Sequence, residues 1–388
     1  MTRGVQASHL KRTNERAVLD SLRATSPATV PEIAGRVGLS KPTVASALRT
    51  LQTAGLVQER GFRFGRSGQA PVLWGINDDA GVVLGVDIGT QWVRLVLGDL
   101  AGHTLGTHRS RPGSGSAQSI LRTLDHSIGH LLAETGRAPE SIVFTVVGSP
   151  GVLDPASNRV EHASNLPGWG DPSTLGALRA QFGDRFVVMK DVYLAALGEV
   201  QARGQAAPDF VLMSVGRGVG AAVVHDGQPL PGTHGLAGEV AFLPIGVPAA
   251  GQGSRSVRGS LEDAGSADAL LNAASSDGSV FTTVADVFVA AAAGDPAATA
   301  AVGRESRVIA YALAALIIIT DPPLVVLAGS VGLHGAERFA SQVRRDLADL
   351  LPFEAPSVEI SVAGENASLD GALGMGLDLG WSALVEAL

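Results

Sequence analysis

The sequence predicts an α/β protein in which a small N-terminal winged helix-turn-helix precedes a larger region of two lobes. Residues 29–49 combine helix-capping residues with a tight turn, and the remaining chain alternates short apolar strands with helical segments. The predicted domains are 1–77 and 78–388, and the lobes of the second are about 78–190 plus a C-terminal helix, and 191–370.

The composition fits a globular protein. The chain has 388 residues, of which 45% are hydrophobic and 17% charged, enough for more than one core. It contains no cysteine, which excludes disulfides and thiolate metal sites. The N-terminus is polar and basic, and the longest aliphatic stretch, 311–319, is too short to span a bilayer. We therefore expect a soluble, cytoplasmic protein without a membrane partner.

Positive charge is concentrated in the first domain. Residues 1–77 contain eleven Lys/Arg and four Asp/Glu, a net charge of +7, whereas the remainder contains 18 and 33, a net charge of −15. This asymmetry indicates that only the first domain contacts a polyanion. The alternative is a basic surface that is merely solvated.

The first domain has the residues of a helix-turn-helix. After a first helix near 14–22, Thr29 and Glu32 form a capping-box pattern, Gly38 permits a tight turn, and Ser40 caps a second helix. The residues predicted to face inward are Ile33, Ala34, Val37, Val44, Ala47, Leu48 and Leu51.

The outer face of the second helix has the residue types that contact a DNA major groove. Lys41 suits a phosphate, whereas serine and threonine suit phosphates or base edges. Residues 58–76 are predicted to form a two-stranded wing carrying Arg60, Arg63 and Arg66. The predicted DNA contacts are Ser40, Lys41, Thr43, Ala45, Ser46, Arg49, Arg63 and Arg66. The alternative is a helical protein–protein module that binds no DNA.

Strands and helices alternate through the second region. Strands are predicted at 82–86, 92–97, 142–147, 186–189, 210–215, 221–225 and 324–327, and helices at 119–135, 194–203, 299–319 and 335–350. Two such halves, each beginning with a β-hairpin, would hold a ligand in the cleft between them.

Seven short motifs in this region follow a fixed order. They are Asp87-Ile-Gly-Thr90, Ser149-Pro-Gly-Val152, Asn165-Leu-Pro-Gly-Trp169, Lys190-Asp-Val-Tyr-Leu-Ala-Ala-Leu-Gly-Glu199, Gly216-Arg-Gly-Val-Gly220, Ala237-Gly-Glu239 and Ala328-Gly-Ser330. These motifs occur in the same order in ROK proteins, so the chain resembles that family of repressors and sugar kinases, which have an actin-like ATPase fold. The resemblance covers the chain from about residue 10, and the N-terminal winged helix is similar to the repressor branch.

The resemblance implies a set of ligand-binding residues. Asp191 matches the general base of the kinases, which hydrogen-bonds a sugar hydroxyl in the repressors. Asn165 and Glu239 match sugar-contacting positions, and Glu262 matches a glutamate that closes the pocket. The alternatives are that Asp191 caps its own helix and that Glu239 is a surface carboxylate.

Some residues depart from the family pattern. Kinases have two glycines after the first Asp-Ile, but Thr90 and Gln91 follow Gly89 here, so the phosphate cradle is incomplete. Phe242 and Ser260 stand at two zinc-ligand positions, and we predict neither a zinc site nor another cofactor.

Two further departures add positive charge near the expected pocket. Lys190 replaces an asparagine and Arg217 replaces a threonine of the family pattern. Either they pair with Asp191 and Glu239, or they bind an anionic ligand such as a sugar phosphate or sugar acid.

We expect a non-enzymatic, DNA-binding transcriptional regulator of the repressor type, controlled by a sugar or sugar derivative. A homodimer or homotetramer would bind an inverted-repeat operator in double-stranded DNA. The alternatives are an ATP-dependent sugar kinase that retains a DNA-binding domain and a ROK regulator that has lost ligand control.

Overall fold

The computed structural model describes residues 3–63, 70–154, 159–161, 166–204, 208–245, 260–275 and 280–388. The predictions for Arg66, Asn165 and the loop 246–259 fall outside these ranges.

The N-terminal part folds as a winged helix. Its elements are α1 (Arg3–Ala24), β1 (Ala28–Thr29), α2 (Val30–Val37), α3 (Lys41–Thr53), β2 (Val57–Phe62) and β3 (Val72–Ile76), and its antiparallel sheet has the order β1-β3-β2. The helix α1 begins well before the predicted residue 14. No proline interrupts it, and i,i+4 ion pairs such as Arg16–Asp20 support its polar face.

A five-stranded sheet forms the first lobe. Its elements are β4 (Val82–Ile88), β5 (Val93–Asp99), β6 (Thr104–Ser110), α4 (Ala117–Thr135), β7 (Ile142–Ser149), the small hairpin β8 (Val152–Asp154) and β9 (Arg159–Glu161), α5 (Pro172–Phe182) and β10 (Phe186–Lys190). The sheet order is β10-β7-β4-β5-β6, in which β4, β7 and β10 are parallel.

The second lobe repeats this plan of an antiparallel hairpin beside parallel strands. Its elements are α6 (Asp191–Arg203), β11 (Phe210–Val215), β12 (Val219–His225), β13 (Gln228–Pro229), α7 (Ser260–Gly265), α8 (Ala267–Ala274), α9 (Val284–Ala292), α10 (Pro296–Thr320), β14 (Leu324–Ala328), α11 (Gly329–Leu350) and β15 (Ser357–Ile360). The sheet order is β13-β12-β11-β14-β15, with β11, β14 and β15 parallel.

The C-terminal helix α12 (Ala367–Glu386) crosses α6 at very short range and covers β4 and β7 of the first sheet. A Cβ atom at Gly371 would lie 1.9 Å from the carbonyl oxygen of Leu194, and one at Gly198 would lie 2.0 Å from that of Ala367. Glycine is therefore required where these two backbones touch.

The same helix contacts both the first lobe and the winged helix. The Trp381 indole nitrogen donates to the carbonyl of Leu100 at 3.1 Å, and Arg23 of α1 forms a 2.6 Å ion pair with Asp378. Leu19 of α1 and Trp381 belong to one buried hydrophobic cluster, so the winged helix and the first lobe share part of their core. Among the described residues, no helix is both long and apolar enough to cross a membrane.

Candidate ligand cleft and nucleic-acid interface

The carboxyl ends of the parallel strands β4, β7 and β10 lie side by side. Asp87 is in register with Gly148, and Lys190 is in register with Ser149. Asp191 follows Lys190 directly as the first residue of α6. Polar groups at such strand ends typically form the ligand site of an α/β fold.

Asp191 is partly exposed as a residue, but its carboxyl group is enclosed by protein atoms. Burial raises its pKa to about 7, and the nearby charge of Asp87 adds to this effect. Its Oδ1 accepts the backbone N–H of Val192 at 2.7 Å, so it also stabilises the first turn of its own helix. Asp191 is therefore a carboxyl group that changes its charge near neutral pH.

Lys190 and Glu239 form a buried ion pair. Lys190 Nζ lies 2.6 Å from Glu239 Oε1, and only 6% and 18% of the two side chains are exposed. Lys190 also donates to the carbonyl of Ala237 at 3.3 Å, and the Tyr193 hydroxyl donates to the same carbonyl at 2.6 Å. Lys190 therefore pairs with a carboxylate inside the protein, which is the first of the two alternatives for this residue. Glu239 is not a surface carboxylate.

Within the described residues, Arg217 pairs with neither Asp191 nor Glu239, and its partners are other residues. With the Gln91 amide oriented so that its oxygen faces the guanidinium, that oxygen accepts from Arg217 Nη2 at 2.9 Å and from Nε at 3.2 Å. Arg217 also lies 3.8 Å from Asp268. Because Gln91 belongs to the β4–β5 turn and Arg217 to the β11–β12 turn, this contact joins the two lobes.

Glu262 supports the same glycine-rich turn. Its Oε2 accepts the backbone N–H of Val219, the first residue of β12, at 3.3 Å. The structure thus brings Lys190, Asp191 and Glu239 into one group and places Arg217 and Glu262 at the neighbouring turn.

Asp87 has a partner, Arg94, that was not predicted from the sequence. Arg94 donates from Nη2 and Nε to Asp87 Oδ2 at 2.6 and 2.8 Å. It also donates to the carbonyl of Glu365 at 2.7 Å and to Ser368 at 3.0 Å. The β4–β5 register places Asp87 directly opposite Arg94, so the sequence signal was the predicted hairpin itself.

The described residues contain one cluster with the spacing of metal ligands, formed by Asp209, His225 and Asp226. It lies at the far end of the β11–β12 hairpin from Arg217, and His225 and Asp226 are exposed. It is therefore separate from the cleft.

The helix-turn-helix forms as predicted. Ser40 Oγ accepts the backbone N–H of Thr43 at 3.2 Å, and Gly38 adopts a φ of 67° in the turn between the helices. Val44, Ala47, Leu48 and Leu51 are buried. Of the predicted DNA contacts, Ser40, Lys41, Ser46 and Arg49 are exposed, and Thr43 and Ala45 are partly exposed.

Arg60 and Arg63 of the wing have intramolecular partners. Arg63 pairs with Glu32, and Arg60 pairs with Asp78 while donating to the carbonyl of Ile76 at 2.8 Å. The Thr29 backbone N–H and hydroxyl also donate to Glu32, each at 2.8 Å. These hydrogen bonds, with that of Arg63, lower the pKa of Glu32 to about 2. A DNA phosphate would therefore compete with a carboxylate for Arg63.

Comparison with known proteins agrees with this architecture. The ROK family model matches residues 83–378, and the model of the IclR helix-turn-helix domain matches residues 17–61. The chain belongs to the ROK family. Its two five-stranded lobes are the actin-like fold of that family, preceded by a helix-turn-helix domain.

Both regulators and kinases resemble this ROK protein. The xylose repressor of Caldicellulosiruptor bescii is 27% identical over 238 residues, which are 61% of this chain and 59% of the repressor. The chain thus spans about three fifths of the length of that relative. The glucokinase of Halalkalibacterium halodurans is 26% identical over 312 residues, 74% of this chain and 92% of the kinase.

A solved structure matches almost the whole chain. It is a ROK family transcriptional regulator described as a homologue of the E. coli MLC protein, with a TM-score of 0.74 and 20% identity. The match covers 97% of this chain and 100% of the other. At this identity, the likeness shows the shared fold.

Proposed function

We propose that this protein is a DNA-binding transcriptional repressor whose DNA affinity changes when a sugar or sugar derivative binds between the lobes. The observation that carries the proposal is the winged helix packed through α1 onto α12, a helix that also crosses α6, which begins with Asp191. A DNA-reading module and a small-molecule cleft thereby contact one common element. The xylose repressor and the solved ROK regulator support the same assignment.

The exposed face of α3 is the proposed DNA-reading surface. The side chains of Lys41 and Arg49 are exposed, and neither has a hydrogen-bond or ion-pair partner within the described part of the chain. Ser46 is exposed on the same helix. These groups suit phosphate and base-edge contacts when the helix lies in a major groove.

The charges of the cleft favour a regulator over a kinase. Phosphoryl transfer needs a phosphate cradle and a carboxylate available to a nucleotide-bound magnesium ion. Asp87 is paired with Arg94, and Gln91, at the incomplete cradle, accepts from Arg217. The second candidate, a sugar kinase with a DNA-binding domain, is supported by Asp191 and by the glucokinase relative.

We further propose that the protein acts as a homo-oligomer on an inverted repeat. One winged helix reads one half-site, so two copies match a two-fold symmetric operator. The helix α10 carries an exposed apolar surface, in which Ile318 and Ile319 are 63% and 79% exposed and Tyr311 is also exposed. A surface of this kind is typical of a subunit contact.

A thermal-shift screen tests the effector. A ligand that binds only the folded state raises the melting temperature, and the stabilisation grows with the logarithm of the ligand concentration once this exceeds Kd. The screen contains pentoses and hexoses, with xylose first because of the xylose repressor relative, sugar phosphates, and ATP with magnesium. We expect a sugar-type ligand to stabilise the wild type but not Asp191→Ala, with no response to ATP. Stabilisation by ATP together with a sugar would support the kinase instead.

A further inference from the structure

Two arginines lie over the indole ring of Trp92 at one edge of the first sheet. The guanidinium carbon of Arg109 is 3.6 Å from the ring centroid, and that of Arg111 is 4.5 Å away. We call these three residues the Trp92 patch. Both arginines are exposed, and Trp92 is partly exposed.

The β5–β6 hairpin creates this arrangement. Val93 is in register with Ser110, and Arg94 is in register with Arg109. Because side chains alternate along a strand, Arg109 and Arg111 lie on the same face of the chain, two residues apart. The same register makes Arg94, which carries a third guanidinium, the cross-strand neighbour of Arg109.

The charge of the Trp92 patch is not compensated. Arg94 is neutralised by Asp87, but Arg109 and Arg111 have neither an acidic partner nor a side-chain hydrogen bond within the described ranges. Two like charges held against one ring repel each other. A bound anion would relieve this repulsion, whereas a neutral molecule would not.

The stacking geometry leaves the arginines able to bind an anion. A guanidinium over an aromatic ring uses its flat face, while its N–H donors point outward in the plane. Two such groups match the several acceptor oxygens of a phosphate. Trp92 directly follows Gln91, which bonds Arg217 across the lobes, so the patch lies beside the contact between the β4–β5 and β11–β12 turns.

We propose that the Trp92 patch binds the phosphate group of a phosphorylated sugar ligand, and that it selects this ligand over the neutral sugar. The inference rests on the proposed ligand cleft. It assigns the anion contact to Arg109 and Arg111 and not to Lys190, whose charge is already paired with Glu239.

Tryptophan fluorescence of the full chain tests the proposal. Trp74, Trp169 and Trp381 are buried, so a surface anion acts mainly on Trp92. Glucose 6-phosphate, glucose and inorganic phosphate are titrated separately at constant ionic strength, because salt screens exposed charges. Calorimetry gives each Kd independently of the indole.

The test variant is Arg109→Gln with Arg111→Gln, and the matched control is Arg122→Gln, an exposed arginine on α4. We expect the double variant to weaken glucose 6-phosphate binding at least about tenfold, since two charge-assisted contacts are lost. Glucose binding by the double variant should be unchanged. The control Arg122→Gln should bind glucose 6-phosphate and glucose as the wild type does.

Unchanged affinity for glucose 6-phosphate in the double variant would overturn the proposal. Inorganic phosphate binding as tightly as glucose 6-phosphate would also overturn it, because the ligand would then be free phosphate. The repressor assignment is tested separately, and it would fail if the wild type did not bind DNA.

Discussion

Lys190 Nζ lies 2.6 Å from Glu239 Oε1, so the cation that departs from the family pattern at this position is neutralised inside the protein. An anionic ligand therefore gains little from Lys190. Asp191 beside it remains the carboxyl group that is available to a sugar hydroxyl. The buried pair instead fixes the short segment that carries Glu239 against the end of β10.

Removing one partner of this pair should lower stability. Lys190→Met leaves the Glu239 carboxylate largely buried and uncompensated, so we expect the free energy of unfolding to fall by about 2 kcal/mol or more. The double variant with Glu239→Gln should recover much of the loss, since no unpaired charge remains. Urea unfolding measures both. A double variant that is no more stable than Lys190→Met would contradict this explanation.

Ligand affinity should depend on pH through Asp191. The group binds a sugar hydroxyl best as a carboxylate, and burial raises its pKa to about 7. Affinity should therefore increase as pH rises from 6 to 8, by up to about tenfold per unit below the pKa. Calorimetric titration across this range measures the effect. In Asp191→Asn the affinity should be weak and independent of pH, and an unchanged profile would refute the role.

Glu305 should make the protein less stable as pH rises. Glu305 in α10 is 1% exposed, its Oε1 has no hydrogen-bond partner among the described residues, and burial raises its pKa to about 8. The folded state therefore holds a proton that the unfolded state releases above about pH 4.5. Stability should decrease between about pH 5 and 8, with a slope of up to about 1.4 kcal/mol per pH unit from this group.

The variant Glu305→Gln should flatten this dependence and raise the melting temperature at pH 8. Glu354→Gln is the control, because Glu354 is exposed. Thermal unfolding at pH 5 and pH 8 compares the three proteins. An equal change in melting temperature between pH 5 and pH 8 for the wild type and Glu305→Gln would mean that Glu305 does not hold the proton.

The contact between α1 and α12 should transmit the effect of ligand on DNA binding. Arg16 donates to Ser382 at 2.7 Å and Arg23 pairs with Asp378 at 2.6 Å. Replacing both arginines by alanine should leave ligand affinity intact but reduce the ligand-induced change in DNA affinity by several-fold, within the usual range of coupling energies of about 1–3 kcal/mol. Lys11→Ala is the control, because Lys11 on the same helix pairs with Glu15 of that helix. An undiminished ligand effect would show that coupling takes another route.

The main strands were predictable because each is a short apolar run rich in β-branched residues, as in β7 and β14. The edge strand β6 was not predicted, because polar residues interrupt its apolar pattern. It forms a strand because it pairs with β5. The helix α12 was predicted only as a C-terminal helix of the first lobe, without bounds. Its glycines serve close packing on two sides, Gly371 against α6 and Gly380 against β4 and β7, and they obscure the helical period.

The candidate site was predictable where strand ends determine it. Lys190 ends β10 and Asp191 follows it, and the parallel sheet places them at the same edge as Asp87. The direction of Arg217 was not predictable, because a glycine-rich turn does not fix where a long side chain points. Likewise, the pairing of Arg63 with Glu32 depends on how the wing packs against α2.

Binding of a selected DNA duplex, with and without the sugar found in the ligand screen, tests the central claim most directly. A duplex is enriched from a random pool, and its affinity is measured by fluorescence anisotropy at several salt concentrations. We expect tight, salt-dependent binding by the wild type, strong weakening in Lys41→Ala with Arg49→Ala, and a change of at least about fivefold on adding the sugar. Failure of the wild type to enrich any duplex, together with ATP-dependent phosphorylation of the sugar, would contradict the assignment as a repressor.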